Sequence, residues 1–202
     1  MADSHSPTAV APVRRKLLNR DQRRAAILTS AAQAFARAGY SATSMEEVAR
    51  ASGVTKLILY RNFESKEALY RSVLESVSSR LSEVFVAELK ASRRPAGARA
   101  LLTVAREDPD GFVLLWRHAV REPQFAAYAL EFRDLAVRVT RDLITPRVGD
   151  DTLLDWAANA LVSWNVESVL AWLDHGDESG DEAFLALARS TVTSMLHTWA
   201  QH

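Results

Sequence analysis

The sequence predicts an all-α protein, with three short helices forming a small N-terminal head and six more forming a larger body. Three observations carry that prediction. Strand-like alternation of apolar and polar residues occurs nowhere along the 202 residues. Apolar residues instead recur at three- and four-residue steps in segment after segment, the period of a helix buried along one side. The ends of these segments carry cap chemistry, with Ser, Thr or Asp before a stripe and Gly or Pro after it.

Residues 1–18 come first and read as an arm. They lack a long apolar core, and Arg14-Arg15-Lys16 follows the Ala/Pro/Ser stretch rather than preceding it, which is the wrong order for a signal peptide. That basic cluster is either solvated or able to reach a nucleic-acid backbone or minor groove. Residues 20–38 form the first helix, with Ile27, Ala31, Ala34, Phe35 and Ala38 on one stripe and Gly39 closing it. Residues 44–63 are the most informative stretch. Ser44 and Glu47 make a capping box, and Met45, Val48 and Ala49 follow at helical spacing. Gly53 supplies the turn, Thr55 caps a second short helix, and Leu59 locks it against the first. Ala49 lets the two helices cross closely. This is a helix-turn-helix, whose second helix would lay its N-terminal residues on base edges in the major groove. The local pattern alone also fits a helical hairpin within an enzyme.

The surroundings decide between these. The segments AFARAGY (34–40), TSMEEVARASGVTK (43–56) and LYRNFESKEALY (59–70) resemble the tetracycline-repressor (TetR) family of transcriptional regulators over about residues 20–75. The resemblance implies a helix-turn-helix DNA-binding domain over 19–66 and a helical ligand-binding and dimerisation domain over 67–202. It implies a homodimer formed through the last two helices, with double-stranded operator DNA and a small-molecule effector as partners. Lys56 can reach a phosphate or guanine O6/N7, and Tyr60 and Lys66 suit phosphate; the resemblance carries the same roles onto these positions. Thr43 and Ser44 can offer hydroxyl and backbone N–H groups to phosphate, and Thr55 joins them, with capping as the plainer role for Ser44 and Thr55. One departure stands out. Family members often carry a small or polar pair where this chain has Leu57-Ile58. Leu57 is expected to face DNA, where it could meet thymine methyls, and Ile58 to face inward.

The body follows. A long helix over 66–91, capped by Ser65, carries Leu69, Val73, Val77, Leu81, Val84 and Phe85. Arg93-Arg94-Pro95-Ala96-Gly97 breaks it, and a short helix covers 98–106. Asp108-Pro109 opens a helix through about 120, and Pro123 opens the next, with Phe125, Tyr128, Phe132, Leu135 and Val139 in a stripe ending near 144–146. Two last helices cover about 151–173 and 181–200. In the first of these, Trp156, Trp164 and Trp172 lie eight residues apart, so at 100° per residue the indoles sweep through about 160°. A helix apolar over that width is buried from two directions. A membrane span is disfavoured by Asp155, Asn159, Ser163, Asn165, Glu167 and Asp174. Burial against the chain's own body and a twin subunit is expected, with Phe184, Leu187, Val192, Met195, Leu196 and Trp199 as the final helix's partner face.

Net charge is zero, but residues 1–80 carry +6 and residues 81–202 carry −6. A basic head on an acidic body suits phosphate at one end only. There is no cysteine, which excludes disulfides, thiol redox sensing and thiolate metal sites. The five histidines lack ligand spacing, and no nucleophile elbow, phosphate-cradling loop or HExxH pair is present, so neither a metal, a cofactor nor catalysis is expected. Phe112, Trp116, Tyr128, Phe132 and Trp164 exceed the aromatic surface a bundle needs, and His118, Arg121, Asn165 and Glu167 offer polar anchors. Together they are expected to line a site for a mostly apolar effector. The sequence thus reads as a cytoplasmic, ligand-responsive DNA-binding regulator, a repressor released from a palindromic operator. The rival is a helical small-molecule-binding or enzymatic protein that no longer binds DNA, favoured only by Leu57-Ile58.

Overall fold

The computed structural model describes residues 19–91, 96–148 and 150–201. The basic arm and most of the Arg93–Gly97 break lie outside the described residues. Among the described residues there is no strand, and the α-helices run α1 Arg20–Ala42, α2 Met45–Ala51, α3 Lys56–Asn62, α4 Lys66–Lys90, α5 Ala96–Glu107, α6 Pro109–Val113, α7 Ala126–Ile144, α8 Asp151–His175 and α9 Asp181–Trp199.

Most ends are set by local chemistry. Asn19 and Gln22 close a capping box on α1, the side-chain carbonyl of Asn19 accepting from Gln22 N–H at 2.8 Å. Ser44, Thr55 and Ser65 cap α2, α3 and α4 as their positions predict. Gly39 departs from expectation. It kinks α1 at φ +80° instead of ending it, and one further helical turn follows. Two other boundaries also differ. The helix expected over 108–120 is α6, a π-helical turn Leu114–His118 and a 3₁₀ turn Ala119–Arg121, with Ala119 N–H reaching back five residues to Leu114. Pro123 opens no helix; it lies in a turn whose Phe125 and Ala126 N–H groups both donate to Glu122, and α7 starts at Ala126.

The expected boundary at 66/67 falls in the first turn of α4, so head and body share an unbroken helix. They also share a core. One buried cluster runs from Ile27 and Phe35 of α1 through Leu69 and Leu74 of α4 to Phe112, Phe125 and Val169. At its centre Phe125 stacks on Tyr70 at 4.2 Å between centroids and meets Tyr40 edge-on at 5.1 Å. A smaller cluster at the far end joins Ile144, Leu154, Leu161 and Leu196.

The three indoles of α8 face three surroundings, as their sweep implies. Trp172 stacks on Phe184 at 5.0 Å and donates to Asp181 at 2.7 Å, so both aromatics pack within the subunit. Trp164 is half-buried against the main core. Trp156 is 54% exposed, edge-on to Trp199. The partner face expected on α9 divides accordingly: Leu196, 6% exposed, belongs to the subunit's own core, and Leu187, 68% exposed, does not. Among the described residues no helix is long and apolar enough to cross a membrane.

Candidate nucleic-acid interface and ligand cavity

Two short helices and a glycine build the first site. Val48 and Ala49 bury one side of α2 and Leu59 buries one side of α3, so the two cross closely. Gly53, at φ +67°, turns the chain between them, and Val54 N–H returns to the Ala49 carbonyl at 3.0 Å. Burying Leu59 turns the opposite face of α3 outward. Thr55, Lys56 and Tyr60 are exposed on it, Leu57 is 62% exposed, and Ile58 is half-buried. Thr55 Oγ1 accepts the Ile58 N–H at 3.3 Å, which leaves its O–H as a donor. Lys56 is ion-paired with Glu46 of α2, 5.8 Å above the Tyr60 ring. The hydrogen bond between them holds the Glu46 carboxyl below its usual range and the Lys56 ammonium above its own.

Three expected phosphate contacts have other work. Thr43 is 2% exposed, and its hydroxyl donates to the Ala34 and Gly39 carbonyls at 3.2 and 2.8 Å. Lys66 Nζ donates to the carbonyls of Tyr40, Ser41 and Thr43 at 2.8, 3.3 and 3.0 Å, which uses all three of its N–H groups. Tyr40 and Ser41 lie in the last turn of α1 and Thr43 just past it, where carbonyls run out of helical N–H partners, and Lys66 answers them. The Ser44 hydroxyl is likewise engaged, accepting from Glu47 N–H at 3.2 Å and donating to the Glu47 carboxylate at 3.1 Å.

A cavity of about 360 Å³ opens in the body between α4, α5, the π turn, α7 and α8. Of the nine expected ligand residues it gathers Trp116, Phe132 and Asn165. The other six lie elsewhere. Phe112 is fully buried behind Trp116, and Tyr128 OH pairs with Ser78 Oγ at 2.6 Å. Trp164, His118, Arg121 and Glu167 do not line the cavity, and the last two are exposed. Sequence reasoning missed Leu81, Phe85 and Leu89 of α4 and Leu101 of α5; each reads as ordinary core periodicity. Among the described lining residues none is charged. Trp116 Nε1 and Asn165 Oδ1 are buried away from the cavity's open space and have no hydrogen-bond partner among the described residues.

A larger groove of about 520 Å³ lies between α1, α4 and α5. Three of its charged groups answer one another: Arg80 donates to both Glu107 carboxylate oxygens at 2.8 Å and pairs with Glu83. The smaller cavity is the more apolar of the two, with no charged side chain among its described lining residues. No group of three or more His, Asp or Glu suited to a metal occurs among the described residues.

The profile of the family described as bacterial regulatory proteins, tetR family, matches residues 27–73. The HTH-type transcriptional activator FasR of Mycolicibacterium smegmatis is 31% identical over 165 residues, 78% of this chain and 75% of that protein. Among solved structures, a TetR-like transcriptional regulator from Rhodococcus sp. RHA1 superposes with a TM-score of 0.72 at 20% identity, covering 89% of this chain and 98% of its own. AibR in complex with isovaleryl coenzyme A and operator DNA superposes with a TM-score of 0.64 at 20% identity, covering 87% and 98%.

Proposed function

The chain belongs to the tetR family of bacterial regulatory proteins, and from that premise we propose that it is a cytoplasmic homodimer that reads a palindromic operator and releases it on binding a small, largely apolar effector. The observation that carries the DNA half is the face of α3 left outward by burial of Leu59. It offers a hydroxyl at Thr55, a cation at Lys56, an apolar group at Leu57 and a phenol at Tyr60. A cation can pair with phosphate or guanine, and an apolar side chain can pack on a thymine methyl. The exposure of Leu57 supports its placement toward DNA over burial against the first helix.

The effector half rests on the 360 Å³ cavity and on α4. That helix starts under the head, its first lysine clamped to α1, and runs 25 residues, about 37 Å, past Leu81, Phe85 and Leu89 in the cavity wall. A ligand that moves this wall can change the spacing of the two heads. It must then bind the DNA-incompetent arrangement more tightly, and operator DNA must weaken ligand binding by the same factor. AibR, which shares the fold, was crystallised with both kinds of partner. Repression by occupying the promoter is the reading we favour. The name of FasR as an activator supports the opposite sign, which depends on where the operator lies and not on the head.

The test is a selection of bound duplexes from a random pool, followed by titration of the selected operator with Lys56→Ala and Tyr60→Phe at several salt concentrations. Each variant should bind several-fold more weakly, and the lysine change should reduce the salt slope by about one. Unchanged affinity in both would sink the assignment of α3 to the groove.

A further inference from the structure

The centre of the outward face of α3 carries a cation with no other partner, and its role rests on the DNA reading above. Leu59 is fully buried, so directions around the helix can be measured from it. At 100° per residue, Leu57 and Arg61, each two residues away, point about 160° from Leu59, one on each side of the opposite direction. Lys56 and Tyr60 lie only about 60° and 100° round, on the flank beside α2, where Glu46 holds the lysine. Ile58 and Asn62 occupy the other flank, and both are half-buried. Asn62 is tied inward, its Nδ2 donating to the Ile58 carbonyl at 2.7 Å and its own carbonyl accepting from Arg24 at 3.2 Å. The two side chains turned most directly outward are therefore Leu57 and Arg61, both exposed. Among the described residues the Arg61 guanidinium makes no hydrogen bond, ion pair or ring contact, and Glu64, the nearest acidic residue along the chain, does not pair with it.

We propose that Arg61 is a base-reading residue of the operator complex, its guanidinium forking onto O6 and N7 of a guanine while Leu57 covers the methyl of a nearby thymine. The fork of two N–H donors matches the pair of acceptors that guanine alone presents in the major groove. Lys56 suits that work less well. Its ammonium must first leave Glu46, whose carboxylate would then stand unpaired beside the duplex. Arg61 has no such partner to give up. Four residues of helix separate Leu57 and Arg61 by about 6 Å along α3, close to two base-pair steps of about 3.4 Å each. Each half-site should therefore hold a guanine about two steps from a thymine. A plainer role is open to Arg61, which stands in the last turn of α3, where a cation complements the helix dipole. That role gives no base preference, so base preference is what separates the two.

The experiment starts from duplexes that the full-length wild-type protein selects from a random pool. Versions of the selected operator with each base at each half-site position are then titrated with wild type, Arg61→Ala, Arg61→Gln and Leu57→Ala. Arg61→Ala should weaken the selected operator about tenfold to a hundredfold and flatten the preference for one guanine per half-site, leaving the other positions intact. Arg61→Gln should move that preference to adenine, whose N6 and N7 suit an amide. Two base analogues test the wild-type protein directly. 7-Deazaguanine at that position, which lacks N7, should weaken wild type at least about fivefold and Arg61→Ala by less than about twofold. Deoxyuridine in place of the nearby thymine removes only the methyl, and should weaken wild type but not Leu57→Ala. A loss in Arg61→Ala that is equal on every duplex, with the salt slope reduced by about one, would overturn the proposal by making Arg61 a phosphate contact. Unchanged affinity in Arg61→Ala would take it out of the interface, and in both cases the DNA reading survives on the operator that wild type selects. A wild-type protein that selects no duplex would overturn that reading and this proposal with it.

Discussion

Two lysines at the edge of the head show what single residues contribute and how far sequence can assign them. Lys56 and Lys66 both stand near helix starts in a basic region, and nothing in their neighbours distinguishes their work. The distinction is tertiary: the unpaired carbonyls at the C-terminal end of α1 capture Lys66, and Lys56 remains on the outward face of α3. Even Lys56 is not idle, because Glu46 of α2 holds it. A carboxylate on that face repels phosphate and competes with it for the lysine, so Glu46 should suppress indiscriminate duplex binding more than it suppresses operator binding. Glu46→Gln should therefore tighten binding to a scrambled duplex by about threefold to tenfold and steepen its salt dependence, lowering the ratio of specific to non-specific affinity. Anisotropy titrations with operator and scrambled duplexes would measure it; an unchanged affinity for the scrambled duplex would show that the pair is ornamental to DNA binding.

At the scale of elements, what was legible in the sequence was what is decided within four residues. Ser44, Thr55, Ser65 and Asp108 cap the helices that follow them because a side-chain oxygen and a nearby N–H need no tertiary partner. The α3 face was legible for the same reason, since the burial of Leu59 fixes it. The π turn at Leu114–His118 was not, because its geometry accompanies a tertiary setting, with Trp116 between aromatic rings of α6 and α7. The cavity was half legible: aromatic excess pointed to Trp116 and Phe132, but the charged and imidazole anchors His118, Arg121 and Glu167 lie outside its wall. The tether of α9 was also invisible. Asp181 accepts from Arg106 at 2.8 and 3.1 Å and from the Trp172 indole at 2.7 Å, pinning the start of α9 to α5 and α8. The Arg106 hydrogen bonds hold the Asp181 carboxyl below its ordinary value of 3.8. A depressed carboxyl contributes stability that is present above the unfolded value and lost as pH falls through the folded one. Asp181→Asn should thus lower unfolding free energy by about 1–3 kcal/mol at neutral pH, with the gap to wild type closing below about pH 4. Urea denaturation of both proteins across that range would measure it, and a gap that stays constant into acid would mean that the charge on Asp181 adds nothing.

For the molecule as a whole, the two ends have opposite chemistry. The +6 of residues 1–80 faces DNA in the proposed reading, and the −6 of residues 81–202 keeps the body off it. One head presents a seven-residue reading helix, too small a contact for a high-affinity operator complex, so bivalency must supply the rest. In the proposed dimer, the surface for a second subunit is not the whole set of apolar residues on the last two helices. Leu196 and Trp172 are already committed within the subunit, and only the side chains left outward by that packing can meet a partner. Leu187 of α9 and Trp156 of α8 are the large ones. Substituting Leu196 would damage the core and report on folding; substituting Leu187 isolates association. Leu187→Glu should leave helical content unchanged, convert the protein to monomers at micromolar concentration and weaken operator binding by about a hundredfold or more, because each head then binds alone. Sedimentation together with operator titration would measure both effects. A dimer that survives Leu187→Glu would move the interface off this face of α9, and a wild-type monomer that binds operator tightly would remove the need for two-fold symmetry in the site.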